Sequence, residues 1–185
     1  MKNNAALYLL LLLLLMSCTS NQQKINDQAD ETISPEERLE ELGIQLIEPA
    51  SPTANYVMSV QHEDLVFLAG HGPDKPGGGK VIGKLGKDLT LEQGQEAARL
   101  TGVSLLSSLK KEIGDLIKVK RIVKVSGMVN ATPDFTDHSQ VINGFSDLMV
   151  EVFGERGKHA RVAVGMSSLP GNIPVEIDMI VQVED

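Results

Sequence analysis

The sequence predicts an α/β (α+β) domain, a mixed β-sheet with two helices packed on one of its faces. From Val81 to Val183, β-rich and helical stretches alternate. Two of them, beginning near Thr90 and Ser139, repeat apolar residues at helical spacing. The final two, Ala160–Leu169 and Pro174–Val183, are apolar β-rich runs joined by a Pro/Gly loop. Strand, helix, strand, helix, strand is the order that lays crossovers on one side of a single sheet.

The chain opens with MKNNAALYLLLLLLLMS, one Lys before an apolar run from Ala5 to Met16. That run is shorter than the roughly 20 residues a spanning helix needs, and its shape is that of a secretory signal. Leu15-Met16-Ser17-Cys18 resembles a bacterial lipobox, so residues 1–17 are expected to be a lipoprotein signal with Cys18 as lipidation site. A plain cleaved signal and an uncleaved anchor are the alternatives. A lipid anchor would place the protein outside the cytoplasm on a bacterial membrane. Thr19 in place of Asp would favour the outer membrane of a Gram-negative cell. Residues 18–33 are polar and aperiodic, as a disordered tether would be, which leaves residues 34–185 as the domain.

Ser34-Pro35-Glu36-Glu37 starts a helix: Ser34 can cap, Pro35 suits the first turn and Glu37 completes a capping box. Leu39 and Leu42 give it an apolar side, and Gly43 ends it. Asn55–Gln61 and Leu65–Gly70 flank His62-Glu63-Asp64 and read as a β-hairpin. Pro76-Gly77-Gly78-Gly79 lacks the spacing of a phosphate loop and reads as a flexible loop. Val81–Leu85 suits a short strand. Thr90 and Gln93 form a capping box for a long helix, stopped by Gly114. Val119–Val125 is the clearest β-rich stretch, and Pro133-Asp134 marks a turn and cap before a helix over Ser139–Gly154. One sheet with helices on one side leaves an open face, so an oligomer is expected.

Charge narrows the function. The net charge is −8, and it is about one unit more negative without residues 1–17, where Lys2 is the sole charged side chain. Aromatic residues make up 3% of the chain and there is no Trp. Both observations argue against nucleic acid, which needs phosphate-neutralising cations and stacking surfaces. The one cysteine, Cys18, excludes an internal disulfide. His71, His138 and His159 lack metal-ligand spacing, so neither metal nor cofactor is expected.

Arg161 and Glu176 sit on the last two β-rich runs. A guanidinium can grip a carboxylate through two parallel hydrogen bonds. A Glu among apolar neighbours can hold water or a proton if burial raises its pKa. Each also has a plainer reading, Arg161 as a surface residue and Glu176 as an outward strand residue. Tyr56 can donate a hydroxyl hydrogen bond or be a half-buried strand aromatic.

Lys158-His159-Ala160-Arg161, Ala163-Val164-Gly165, Leu169-Pro170 and Val175-Glu176-Ile177 together resemble the C-terminal signature of the RidA/YjgF family, in its endoribonuclease L-PSP-like branch. Asn55-Tyr56-Val57, Leu68-Ala69-Gly70-His71-Gly72-Pro73, Val129-Asn130 and Asn143-Gly144 extend the resemblance upstream. It implies a chorismate-mutase-like fold, a homotrimer with clefts between subunits, and hydrolysis of 2-imino or enamine acids to 2-keto acids and ammonia. Arg161, Glu176 and Tyr56 would be the catalytic group, with Gly70, His71, Ala163 and Asn143 lining the substrate. Ala163 stands where the deaminases often carry Cys. The alternative is a trimer that binds a small carboxylated metabolite without turning it over.

Overall fold

The computed structural model describes residues 33–184 except Ala50 and Thr53; the expected signal, Cys18 and all but the last residue of the tether lie outside the described residues. The elements are α1 (Pro35–Glu41), β1 (Ser59–His62), β2 (Leu65–His71), α2 (Leu91–Ile113), β3 (Val119–Asn130), α3 (His138–Phe153), β4 (Ala160–Met166) and β5 (Val175–Val183). The strands form one sheet in the order β1-β2-β5-β3-β4. Among the strands of the described residues, β3 and β4 alone pair in parallel, and α3 is the crossover between them, as a parallel pair requires. The sheet is mixed, with its helices on one face, as the sequence predicts.

The alternation of side chains decides which face is covered. Along β5, Val175, Ile177, Met179, Val181 and Val183 are buried, while Glu176, Asp178, Ile180 and Gln182 are half-buried. Period two puts these sets on opposite faces. The buried set packs with Leu105, Leu106 and Leu109 of α2 and with Ile142, Phe145 and Met149 of α3 into one aliphatic core. Helix α2 begins on the expected box, with Thr90 Oγ accepting from Gln93 N–H, and ends at Gly114, whose φ is 85°. At Gly144 a side chain would run into the backbone of Gln95, so this glycine sets how closely α3 approaches α2.

Three expectations change. Val81–Leu85 forms no strand, because Gly83 turns the chain at φ +134° and Leu85 is buried in the core. The first hairpin strand shortens to Ser59–His62. Asp137, rather than Pro133-Asp134, precedes α3, without a side-chain cap. Among the described residues no helix is long and apolar enough to cross a membrane.

Candidate active site

Arg161 and Glu176 lie on opposite faces of the sheet. Arg161 is in register with Val125 of β3, which is in register with Met179 of β5. Val125 and Met179 are fully buried under the helices, so Arg161 shares the helix-covered face. Glu176 is in register with Met128, and Met128 with Val164. This row is offset by an odd number of positions and belongs to the open face.

On the covered side, α3 builds a cradle for the guanidinium. Arg161 Nη1 donates to Asn143 Oδ1 at 3.0 Å and to Ser146 Oγ at 2.9 Å, and Nη2 donates to the Ser139 carbonyl at 3.3 Å. Residues four and three apart on a helix share a side, which is why 139, 143 and 146 converge. Three of the five N–H groups are thereby used. The two left over, Nε–H and one Nη2–H, remain as charged donors for a carboxylate. Behind the cradle, Ser146 Oγ lies 3.1 Å from His159 Nε2, and His159 Nδ1 lies 2.7 Å from the Gly157 carbonyl. A carbonyl only accepts, so the proton is on Nδ1 and Nε2 accepts from Ser146. Burial lowers the His159 pKa; the Gly157 bond opposes this and the Arg161 charge adds to it, in keeping with a neutral ring.

On the other side, Glu176 opens into a cavity of about 460 Å³ lined also by Tyr56, Gly70, Gly72, Asp74, Lys80 and Ile173. Gly70 is a glycine for a reason of space, because a Cβ there would collide with Glu176 Oε1. Burial, and then the Asp178 charge, raise the Glu176 carboxyl above the usual carboxylate value, and Lys80 pulls it part of the way back. Such a group holds a proton more readily than a surface carboxylate.

The chain thus brings Tyr56, Gly70, His71 and Glu176 to one cavity and Arg161 and Asn143 to another place. Ala163 lies on the Arg161 side of β4, in register with Gly127 and packed against the core. His71 meets the cavity, but its ring is engaged elsewhere: Nδ1 is 2.7 Å from the Ala69 carbonyl and Nε2 is 2.7 Å from Ser108 Oγ of α2. It fastens β2 to α2. Sequence reasoning missed Lys80 and Asp74, whose charged ends lie 3.4 Å apart. They bracket the Gly-rich loop, and their pairing was the signal that it is a closed turn. Sequence reasoning singled out Asn130 by resemblance but gave it no role; the residue is fully buried, and its Nδ2 lies 3.1 Å from both the Ile173 carbonyl and Asn172 Oδ1 at the cavity rim. Among the described residues no cluster of His, Cys, Asp or Glu could hold a metal ion.

A family model described as YjgF/chorismate mutase-like endoribonuclease matches residues 36–181. The protein TCP17 of Trypanosoma cruzi is 43% identical over 148 residues, 80% of this chain and 92% of its own length. The protein Atu1372 of Agrobacterium tumefaciens is 42% identical, superposes with a TM-score of 0.75 and is matched over 81% of this chain and 94% of its own. A Shewanella oneidensis structure with an endoribonuclease designation is 29% identical with a TM-score of 0.79, over 82% of this chain and all of its own. These matches correct the lipoprotein expectation. The relatives consist almost wholly of the matched domain and carry no sign of a signal peptide or lipid anchor. A short apolar run before a lone cysteine was too little to establish one.

Proposed function

The chain belongs to the YjgF/chorismate mutase-like family, and on that premise we propose that it hydrolyses small 2-imino or enamine carboxylic acids to 2-keto acids and ammonia. The observation that carries this reading is the Arg161 side chain, fixed by α3 with two of its N–H donors left over. These donors take the substrate carboxylate. Glu176, with its raised pKa, serves as the proton carrier. An enamine first gains a proton on carbon to become the imine. Water then adds to the C=N carbon and gives one proton to the imine nitrogen, and the hydroxyl proton of the resulting carbinolamine passes through Glu176 to the same, departing nitrogen. The carbon–nitrogen bond breaks, the oxygen remains as the keto group and ammonia leaves. Tyr56 lines the same cavity and supplies a hydroxyl hydrogen bond.

One chain holds Arg161 and Glu176 on opposite faces, so in this reading the working site lies between copies, in a homotrimer of residues 34–185. The open sheet face supports association, since Val60, Phe67, Val162, Val164 and Met166 are exposed there. A ribonuclease reading, which the family description carries, finds little support in a net charge of −8.

The test is ammonia release from an imino acid generated in place by an amino acid oxidase. The native protein is expected to exceed the spontaneous rate. Arg161→Ala should lower kcat/KM by about 100-fold or more, the loss of a charged, hydrogen-bonded pair, and Glu176→Gln should lower kcat. No acceleration by the native protein, with carboxylate binding retained and lost in Arg161→Ala, would establish the non-catalytic binder instead.

A further inference from the structure

We propose that His159 is a positioning residue for Arg161, acting through the Ser146 hydroxyl. The inference rests on the reading of Arg161 as carboxylate anchor, but its geometry stands independently. A serine hydroxyl can donate or accept toward any neighbour, so by itself Ser146 would not fix a guanidinium. Here its direction is decided. The Gly157 carbonyl, 2.7 Å from His159 Nδ1, holds the ring proton on that nitrogen. Nε2, 3.1 Å from Ser146 Oγ, is left as an acceptor and takes the serine proton. The serine oxygen then presents its lone pairs to Arg161 Nη1 at 2.9 Å. The ring itself is held edge-to-face on Phe145, with centroids 5.9 Å apart and planes at 70°. The series runs from a backbone carbonyl of the turn before β4 to the guanidinium on β4, with each donor assigned.

A linear series makes a distinctive statement about variants. Breaking it at either His159 or Ser146 frees the same Nη1 hydrogen bond, so the two changes should not add. In titrations of 2-oxobutyrate into the full chain, Ser146→Ala and His159→Phe are each expected to weaken binding about tenfold, the worth of one hydrogen bond to a charged group. The double variant should be no weaker than either single one. Ser146→Thr, which keeps the hydroxyl, should stay within about twofold of native. In the ligand-free protein the Arg161 Nε–H resonance should be that of a rigid group in native and Ser146→Thr, and of a mobile one in Ser146→Ala and His159→Phe.

Additive losses would overturn the inference, as would a rigid Arg161 signal in Ser146→Ala. So would native-like binding in Ser146→Ala alongside lost binding in Arg161→Ala. Unchanged binding in Arg161→Ala would instead remove the anchor reading. The Nε–H signal would then decide the positioning role alone, and Ser146→Ala decides it even if His159→Phe does not fold.

Discussion

Gly70 and Glu176 occupy one space between them, and the division is informative. A methyl group at Gly70 would collide with Glu176 Oε1, the end of a flexible side chain that is able to move away. The φ of Gly70 is not in the left-handed region, so alanine brings no backbone strain there. Gly70→Ala is therefore expected to keep stability within about 1 kcal/mol while moving the carboxylate and lowering kcat by about tenfold or more. Urea melts beside turnover would show it, and full activity in a folded Gly70→Ala protein would remove Glu176 from the reaction. Titration adds a second expectation. Burial lowers the pKa of both His71 and His159. The folded protein then binds fewer protons than the unfolded chain below the ordinary histidine value of about 6.5. Their contribution is complete above that value and is lost as pH falls through the lowered ones. Glu176 acts with the opposite sign, since its raised pKa removes stability as pH climbs from the ordinary carboxylate range to the raised value. The urea midpoint should fall between pH 7 and pH 5, and His71→Gln should flatten that fall. An unaltered slope in His71→Gln would show that this ring does not stay neutral in the fold.

At the scale of elements, strong local signals were legible and long-range ones were not. The Thr90/Gln93 box and the Gly114 stop are written within a few residues, and helix α2 runs between them. Strand β5 was legible because its buried and half-buried positions alternate without a break. Val81–Leu85 misled because β-branched and apolar residues suit a strand equally well as a plug. What decided its fate is distant: Gly83 N–H donates to the Asn172 carbonyl and Leu85 N–H to the Asn130 carbonyl. The family signature singled out the candidate site residues as a group. Their division between two faces was not legible, because it depends on the pairing of β4 and β5 with β3. Asn130 joins these elements. Its amide reaches the Ile173 carbonyl and Asn172 side chain from a fully buried position. Asn130→Ala should cost about 2 kcal/mol, since it strands a buried carbonyl without a donor. Thermal melts measure this directly; a loss of less than about 0.5 kcal/mol would mean that the rim is held by its backbone bonds alone.

For the whole molecule, the decisive feature is a sheet with one finished face and one unfinished one. The helices cover the first, leaving Arg161 on β4 half-buried at its edge, and the second shows apolar residues on β1, β2 and β4 around the polar row of Glu176 and Asp178. An apolar face of this kind is stable in water when another copy covers it, and closed symmetry repeats every such contact. If each site takes Arg161 from one copy and Glu176 from the next, two inactive variants should repair each other. Arg161→Ala chains retain Glu176, and Glu176→Gln chains retain Arg161. Mixed in equal amounts, unfolded and refolded together, they form sites in which the two intact residues meet with a probability of roughly one in four for random assembly in a closed ring. The mixture is expected to recover about a quarter of native turnover, while each variant refolded alone stays inactive. The same two proteins mixed without unfolding should recover activity only as fast as subunits exchange. A site contained within one chain predicts no recovery under either condition, so the experiment distinguishes the two arrangements by the presence of activity rather than by its amount.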